Sequence, residues 1–195
     1  MCGRYYVDDE TVREVEKIVR SLDQKLQVSG KKDVYPSSMT AVLKPESTQI
    51  GLGQMKWGFP GFKGKELLIN ARAESVLEKR TFQDSIRHRR CVIPARGFYE
   101  WNSKKEKFQF ERVDQKQILF MAGCFQRFHE EERFVILTTQ ANVSVLPVHH
   151  RMPLILEKEE IENWILDDKS VEFILYKSPP ELMRRTEYEQ MQLFS

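Results

Sequence analysis

The sequence has little cysteine, little excess charge and no long apolar run. Its three cysteines are odd in number and widely spaced, which is not the pattern of a disulfide framework or a zinc site. The net charge of only +2 does not indicate a nucleic-acid partner, so any such site requires a local basic patch. No segment has the length and apolarity of a membrane span, and the first residues lack the plan of a signal peptide. We therefore expect a reduced, cytoplasmic protein without a membrane segment.

The apolar pattern predicts many strands with scattered helices. Tyr5-Tyr6-Val7 is a candidate strand, and a capping box at Thr11-x-x-Glu14 predicts a helix that ends near Gly30. Shorter helices are expected over 75–79 and, capped by Thr81, through Arg87. Two further helices are expected around Trp164 and Ile174. The remaining candidate strands are short apolar runs over 41–43, 50–60, 67–69, 91–94, 97–101, 108–113, 118–125, 134–139 and 151–156.

The length of 195 residues suits one domain with a sizeable core. Pro179-Pro180 breaks the periodic pattern, so residues 179–195 are expected to form a surface tail. Together these features predict a single α+β domain over residues 1–195, with a curved, barrel-like, mainly antiparallel β core and peripheral helices.

Cys2 stands directly after the initiator methionine. If Met1 is removed, Cys2 carries an α-amine beside its thiol. Such an aminothiol forms a Schiff base with an aldehyde, and the sulfur then closes on the same carbon to give a thiazolidine. The amine titrates at about 7.7–8.0, against about 10.4 for lysine, so it is partly nucleophilic near neutral pH. On Cys2 alone the simpler interpretation, a small buried side chain, is preferred.

Three polar residues stand out because they interrupt apolar runs. Asn70 follows Leu67-Leu68-Ile69, Glu100 lies within the run 97–101, and His149 precedes an apolar strand. Burial of such groups without partners costs a few kcal/mol, and each is taken singly as a satisfied core group. With Cys2 they make a candidate set of nucleophile, orienting amide, carboxylate and acid–base imidazole. Spacing alone does not show that they converge.

The adjacent His149 and His150 do not predict a metal site. Neighbouring residues on a strand point to opposite faces, and ligand spacing is absent around them. We therefore expect no metal and no cofactor. Cys91 and Cys124 lie in apolar strands and are interpreted as core side chains.

Arginine and tryptophan residues near these positions are the candidates for nucleic-acid contacts. Guanidinium groups bind phosphates and exposed aromatic rings stack on unpaired bases. The alternative for each residue is structural ion pairing or core packing. The candidates are Arg4, Arg72, Arg151, Trp57 and Trp101.

Seven segments, in this order, resemble the motifs of the SOS-response-associated peptidase (SRAP) family. The resemblance runs from the first residue to about Leu156. The segments are Met1-Cys2-Gly3-Arg4-Tyr5, Met55-Lys56-Trp57-Gly58-Phe59-Pro60, Asn70-Ala71-Arg72-Ala73-Glu74, Arg90-Cys91-Val92-Ile93-Pro94-Ala95, Gly97-Phe98-Tyr99-Glu100-Trp101, Phe120-Met121-Ala122-Gly123 and His149-x-Arg151-Met152-Pro153.

The resemblance implies an abasic-site-processing protein of the DNA damage response. Members bind single-stranded DNA and form a thiazolidine crosslink between the N-terminal cysteine and the abasic aldehyde. Self-removal of Met1 and an abasic-site lyase activity are also implied. Carried over by motif, Cys2 is the nucleophile, Asn70 orients the amine or sugar, and Glu100 and His149 move protons. Residues implied in DNA binding are Arg4, Arg72, Arg151, Trp57 and Trp101.

Two other functions fit the same residues. A cysteine peptidase acting on other proteins would need a peptide cleft, and a non-catalytic DNA-binding module would leave Cys2 without a role. We expect a monomer in the cytoplasm, associated with the nucleoid when it is bound to DNA.

Overall fold

The structure, a computed structural model, describes residues 2–19, 30–61 and 66–186. The strands in chain order are β1 (Tyr5–Val7), β2 (Lys32–Val34), β3 (Met39–Glu46), β4 (Gln49–Trp57), β5 (Phe59–Pro60), β6 (Leu67–Leu68), β7 (Asn70–Arg72), β8 (Arg90–Ala95), β9 (Gly97–Trp101), β10 (Lys107–Arg112), β11 (Leu119–Phe128), β12 (Glu131–Gln140), β13 (Arg151–Pro153), β14 (Ile155–Leu156) and β15 (Leu182–Thr186). The helices are α1 (Asp9–Ile18), α2 (Arg80–His88), α3 (Glu160–Leu166) and α4 (Val171–Leu175).

Five strands close on themselves to form a barrel. Strand β3 pairs with β4 and β8, β8 pairs with β11, and β11 pairs with β12. The ring closes where β12 runs parallel to β4, at Arg133 opposite Lys56. The other pairs in the ring are antiparallel. The prediction of an α+β protein with a barrel-like, mainly antiparallel core is therefore confirmed.

A second sheet covers one side of the barrel core. Its strand order is β15-β10-β9-β1-β2, and all of its pairings are antiparallel. Because side chains alternate along a strand, Tyr5, Phe98 and Phe110 share one face. They pack in a common core with Trp57 and Ile136 of the barrel. The start of the described chain is therefore enclosed between this sheet and the barrel.

The helices cover the barrel from its other side. Val15 of α1, Ile86 of α2 and Trp164 of α3 pack with Val92 and Leu137 of the barrel strands in a separate core. Strand β8 is buried along its whole length because it lies between the two cores. This is the position for which a continuous apolar run is typical.

Helix α1 begins three residues earlier than the sequence pattern predicts, with its N-cap at Asp8 instead of Thr11. Asp8 is the N-cap: its carboxylate accepts from Thr11 N at 3.0 Å, and Thr11 Oγ1 accepts from Asp8 N at 3.2 Å. The capping box is thus Asp8–Thr11, and the one predicted at Thr11–Glu14 is wrong, because Thr11 already occupies the third helical position. The helix ends at Ile18, and residues 20–29, over which it was predicted to continue towards Gly30, lie outside the described residues.

Two other helix predictions needed correction. The helix expected over 75–79 is a short 3₁₀ turn, Ala73–Ser75, followed by turns. Helix α2 forms as predicted, but Thr81 lies inside it, and its N-cap Lys79 makes no side-chain capping bond.

The predicted surface tail is wrong for residues 179–186. Pro179 is buried, and Leu182–Thr186 forms β15 on the edge of β10, with Leu182 in the core shared by the barrel and the second sheet. Residues 187–195 lie outside the described residues. Among the described residues, no helix has the length and apolarity needed to cross a membrane.

Candidate active site

Cys2 lies three residues before the first residue of β1 and is fully buried. Its Sγ is 4.0 Å from the carbonyl oxygen of Arg4. Burial, and then the negative charge of Glu100, raise the pKa of the thiol far above its ordinary value of 9.0. The thiol is therefore protonated at neutral pH, and a nearby base has to accept its proton before sulfur reacts.

Asn70 fixes the backbone of Cys2. Strand β7 runs parallel to β12, with Asn70 opposite Ile136, and this pairing brings the amide to the start of the chain. Asn70 Nδ2 donates to the carbonyl oxygen of Cys2 at 2.9 Å. Since a carbonyl only accepts, the amide nitrogen must face Cys2. Asn70 Oδ1 is buried, and no donor in the described part of the chain lies within hydrogen-bond reach of it.

Glu100 lies on β9 and is 3% exposed. Glu100 follows Phe98 by two residues on the strand, so both side chains lie on the inner face of the second sheet. Its charge acts on the thiol of Cys2. A carboxylate on this face brings a proton acceptor into the apolar surroundings of Cys2.

His149 lies in the turn before β13 and is held by the backbone of Arg151. The Arg151 N–H donates to His149 Nδ1 at 3.0 Å, and the Arg151 carbonyl lies 3.1 Å from the same nitrogen. The first contact needs Nδ1 to accept and the second needs it to donate, so the backbone of Arg151 can hold either tautomer of the neutral ring. Val145 and Val148, on the same turn, pack in the core that contains Cys2.

The two histidines do not point apart as predicted from a strand. They lie in a turn, with ring centroids 4.4 Å apart and planes 24° from parallel. Within the described ranges, no group of three or more His, Cys, Asp or Glu side chains is arranged to hold a metal ion. Cys91 and Cys124 are fully buried, which confirms their interpretation as core residues.

Arg151 is 7% exposed and has internal partners. Its guanidinium forms a bidentate salt bridge with the carboxylate of Glu74, in which the Nη2–Oε2 distance is 3.0 Å. Nη2 also donates to the Thr138 carbonyl at 2.7 Å. A phosphate would have to compete with these partners, and the phosphate contact expected for Arg151 stays a prediction.

Arg4 and Arg72 are more accessible. Arg72 is exposed at the end of β7, two residues after Asn70. Arg4 is half-buried: its Nε lies 3.0 Å from Asp33 Oδ2, and Nη2 donates to the Tyr35 hydroxyl. The hydrogen bond that Arg4 donates to Tyr35 and the charge of Asp33 raise the pKa of Arg4 further. Arg4 follows Cys2 by two residues, as Arg72 follows Asn70.

The two tryptophans have different surroundings. Trp57 has no exposed surface, lies 5.2 Å from the Tyr5 ring, and donates from Nε1 to the Ile69 carbonyl at 2.9 Å. An unpaired base cannot reach its ring, so the predicted stacking role is wrong in this structure. The Trp57 indole instead holds the backbone of Ile69, the residue directly before Asn70. Trp101 is half-buried at the end of β9, and its DNA contact stays a prediction.

The structure brings Asn70 and Glu100 to Cys2 and places His149 on a turn that packs against the same core. The sequence interpretation assigned no role to Glu74, Thr138 or Asp33. Glu74 could have been identified from the sequence, because it is the last residue of the motif over 70–74. For the other two, no local pattern indicated that they hold arginine side chains.

These features define a class: an α+β barrel protein whose cysteine at position 2 is held by an asparagine from a neighbouring strand. The chain belongs to the SOS response associated peptidase (SRAP) family, whose model matches residues 1–193. It is 31% identical over 182 residues to the abasic site processing protein YedK of Escherichia coli K12, covering 87% of this chain and 82% of YedK. It is 28% identical over 156 residues to the abasic site processing protein HMCES of Gallus gallus, covering 62% of this chain and 46% of HMCES.

Solved structures have the same fold. A protein from Bacteroides thetaiotaomicron superposes with a TM-score of 0.81 at 21% identity, covering 95% of this chain and 91% of that one. A phage-related protein from Bordetella bronchiseptica superposes with a TM-score of 0.76 at 20% identity, covering 95% and 93%. At these identities the likeness establishes the fold alone.

Proposed function

We propose that this protein processes abasic sites in single-stranded DNA by forming a thiazolidine crosslink through Cys2, once Met1 has been removed. The observation that carries the proposal is the contact between Asn70 and Cys2. The amide nitrogen donates to the Cys2 carbonyl, while the buried amide oxygen has no hydrogen-bond donor among the described residues. An α-amine or a sugar hydroxyl is such a donor. Membership of a family whose relatives are named abasic site processing proteins supports the substrate.

The proposed reaction has two steps, formation of an imine and closure of the thiazolidine ring. The α-amine of Cys2 adds to the aldehyde of the ring-opened sugar, and loss of one water leaves an imine. The thiol then adds across the imine: sulfur bonds to carbon, and the thiol proton goes to nitrogen. Because the thiol is protonated while it is buried, the amine reacts first. Ring closure removes the imine that would otherwise drive β-elimination and strand cleavage, which is the associated lyase reaction.

Proton transfer is assigned to Glu100 and His149. Glu100 faces the same core as Cys2 and accepts the thiol proton on its way to nitrogen. The His149 imidazole donates a proton to the departing sugar oxygen when the ring opens. The same groups serve removal of Met1. Arg4 and Arg72 bind the flanking phosphates, which fits a role at the nucleoid.

Replacement of Cys2 tests the covalent step. Cys2→Ala removes the sulfur, so no stable adduct with an abasic oligonucleotide is expected, whereas the matched variant Cys124→Ala removes a buried thiol outside the site and keeps the adduct. Intact-mass spectrometry reports Met1 removal and adduct formation together. An undiminished adduct in Cys2→Ala would overturn the proposal. Turnover of peptides in trans would favour a peptidase, and binding without any adduct in the wild type would favour a DNA-binding module.

Replacement of Asn70 tests the positioning step. Asn70→Ala removes both the donor to the Cys2 carbonyl and the buried acceptor, so the amine is no longer held in its reacting orientation. Loss of such orientation lowers rates by about 100-fold. The adduct should still form, but slowly, in a time course on a denaturing gel. An unchanged rate would show that Asn70 only packs against the chain terminus.

A further inference from the structure

The side chain of Arg151 joins the two strands that flank β12. Thr138 of β12 is opposite Arg72 of β7 on one edge and opposite Pro153 of β13 on the other. Arg151 begins β13, and its Nη2 donates to the Thr138 carbonyl at 2.7 Å and to Thr138 Oγ1 at 3.2 Å. Both terminal nitrogens of the same guanidinium bind Glu74, which lies two residues after the end of β7. The guanidinium therefore crosses β12 and connects the β13 side of the sheet with the β7 side.

This connection ends beside two residues of the candidate site. Glu74 follows Asn70 by four residues, and Arg151 follows His149 by two. The hydroxyl of Thr138 adds a further link, because it donates to a carbonyl oxygen of β7 at 3.4 Å. We call the group formed by Glu74, Thr138 and Arg151 the β12 bridge. It fixes the strand that carries Asn70 relative to the turn that carries His149.

The backbone of Arg151 suits an imidazole that exchanges protons. Its carbonyl accepts from Nδ1 of His149 when that nitrogen carries a proton, and its N–H donates to Nδ1 when that nitrogen carries none. An imidazolium that delivers a proton from Nε2 keeps the other proton on Nδ1, so the bond to the carbonyl persists through the transfer. The ring can thus pass between its protonation states without leaving its place, provided that the backbone of Arg151 is itself fixed.

We infer that Arg151 and Glu74 are positioning residues for proton transfer by His149. Arg151 is buried and its guanidinium has internal acceptors, so it holds the turn in place through the β12 bridge. Glu74 acts through Arg151, because its carboxylate orients the guanidinium. The inference rests on the proposed function for the reaction that His149 serves. A misplacement of about 1 Å at a reacting group lowers a rate by about 100-fold, so a loosened bridge should have a measurable effect.

Glu74→Gln tests the β12 bridge, because it keeps the shape of the side chain and removes the charge that orients the guanidinium. We expect formation of the abasic adduct to slow by about 10–100-fold. In the His149→Ala background the same replacement should cause no further loss, since residues that act as a unit have non-additive effects. Glu78→Gln, at an exposed neighbouring position, should leave the rate unchanged in both backgrounds. An equal loss from Glu74→Gln with and without the imidazole would overturn the inference, because a general structural role or a phosphate contact persists in the absence of His149.

Imidazole NMR of protein with isotope-labelled histidine tests the position of the ring without Cys2 chemistry. The His149 signals are assigned by their loss in His149→Ala. In Glu74→Gln they should shift, while the signals of His88, exposed on α2, should stay in place. Glu74→Asp, which keeps the charge but shortens its reach, serves if Glu74→Gln does not fold.

Identical His149 signals in the wild type and the Glu74 variant would overturn the inference. Shifted signals in a protein whose wild type forms no abasic adduct would keep the β12 bridge and reject the thiazolidine proposal. The failure of the inference and the failure of the proposed function are therefore distinguishable.

Discussion

Arg151 illustrates how one residue links stability to the site. Its guanidinium is buried against Glu74 and Thr138, while its backbone holds Nδ1 of His149. Burial alone would raise the pKa of the Glu74 carboxyl, but the hydrogen bond and charge of Arg151 lower it below its ordinary 4.5. The contribution of the pair to stability is thus present above pH 4.5 and lost as the pH falls through the lowered pKa.

Glu74→Gln should reveal this contribution. Breaking a fully buried pair costs 3–5 kcal/mol, but Glu74 is 42% exposed, so we expect a loss of about 1–2 kcal/mol in the free energy of unfolding at neutral pH. Urea denaturation measures it, and the difference from wild type should shrink in acid. Glu78→Gln, an exposed neighbour, should change stability by less than about 0.5 kcal/mol. Equal losses in the two variants would contradict a role for the pair.

Sequence patterns indicated candidate residues for the site, but not the contacts between them. Cys2 was named for its place directly after Met1, and Asn70, Glu100 and His149 were named because polar groups in apolar runs need partners. Which atom meets which could not be predicted, since Asn70 reaches Cys2 across 68 positions through the parallel pairing of β7 with β12. The burial of Trp57 could not be predicted either, because an aromatic residue in a motif has the same pattern whether its ring is buried or exposed.

At the scale of elements, strands with clear apolar runs were predictable and weakly apolar ones were not. Strands β8 to β12 follow their sequence runs to within a few residues. Strand β15 was missed because Leu182 is followed by Met183 and then by two arginines, which gives little alternation. It forms because β10 offers an unpaired edge, and because Asn142 Nδ2 donates to the carbonyls of Pro179 at 3.0 Å and Pro180 at 2.9 Å.

Leu182→Ala tests whether β15 is an integral element. Leu182 is 5% exposed in the core that contains Cys2, and removing a buried leucine side chain costs about 2–5 kcal/mol. We expect a loss in the free energy of unfolding within that range, measured by thermal or urea denaturation. Glu181→Ala, at an exposed neighbouring position, should differ from wild type by less than about 0.5 kcal/mol. A loss as small as that of Glu181→Ala would mean that β15 contributes no more to stability than a surface tail does.

At the scale of the whole molecule, the buried thiols in the two cores lower the free energy of unfolding at alkaline pH. Cys91 and Cys124 are fully buried on either side of the barrel wall, and burial raises the pKa of both thiols above the ordinary 9.0. The unfolded chain releases these protons above about pH 9, while the folded protein retains them. Stability must therefore fall as the pH rises through the unfolded pKa, by up to about 1.4 kcal/mol per pH unit for each thiol.

Cys124→Ala isolates one of these contributions. The variant loses some stability at neutral pH through the missing sulfur, but its free energy of unfolding should fall less steeply above pH 9 than that of the wild type, by about 1.4 kcal/mol per pH unit. Urea denaturation between about pH 7 and pH 10.5, in the presence of a reductant, gives both curves. The comparison cancels effects of net charge and of the buried Tyr5, whose pKa is also raised by burial. Parallel curves would mean that the Cys124 thiol already ionises within the folded barrel, and that this core admits water at alkaline pH.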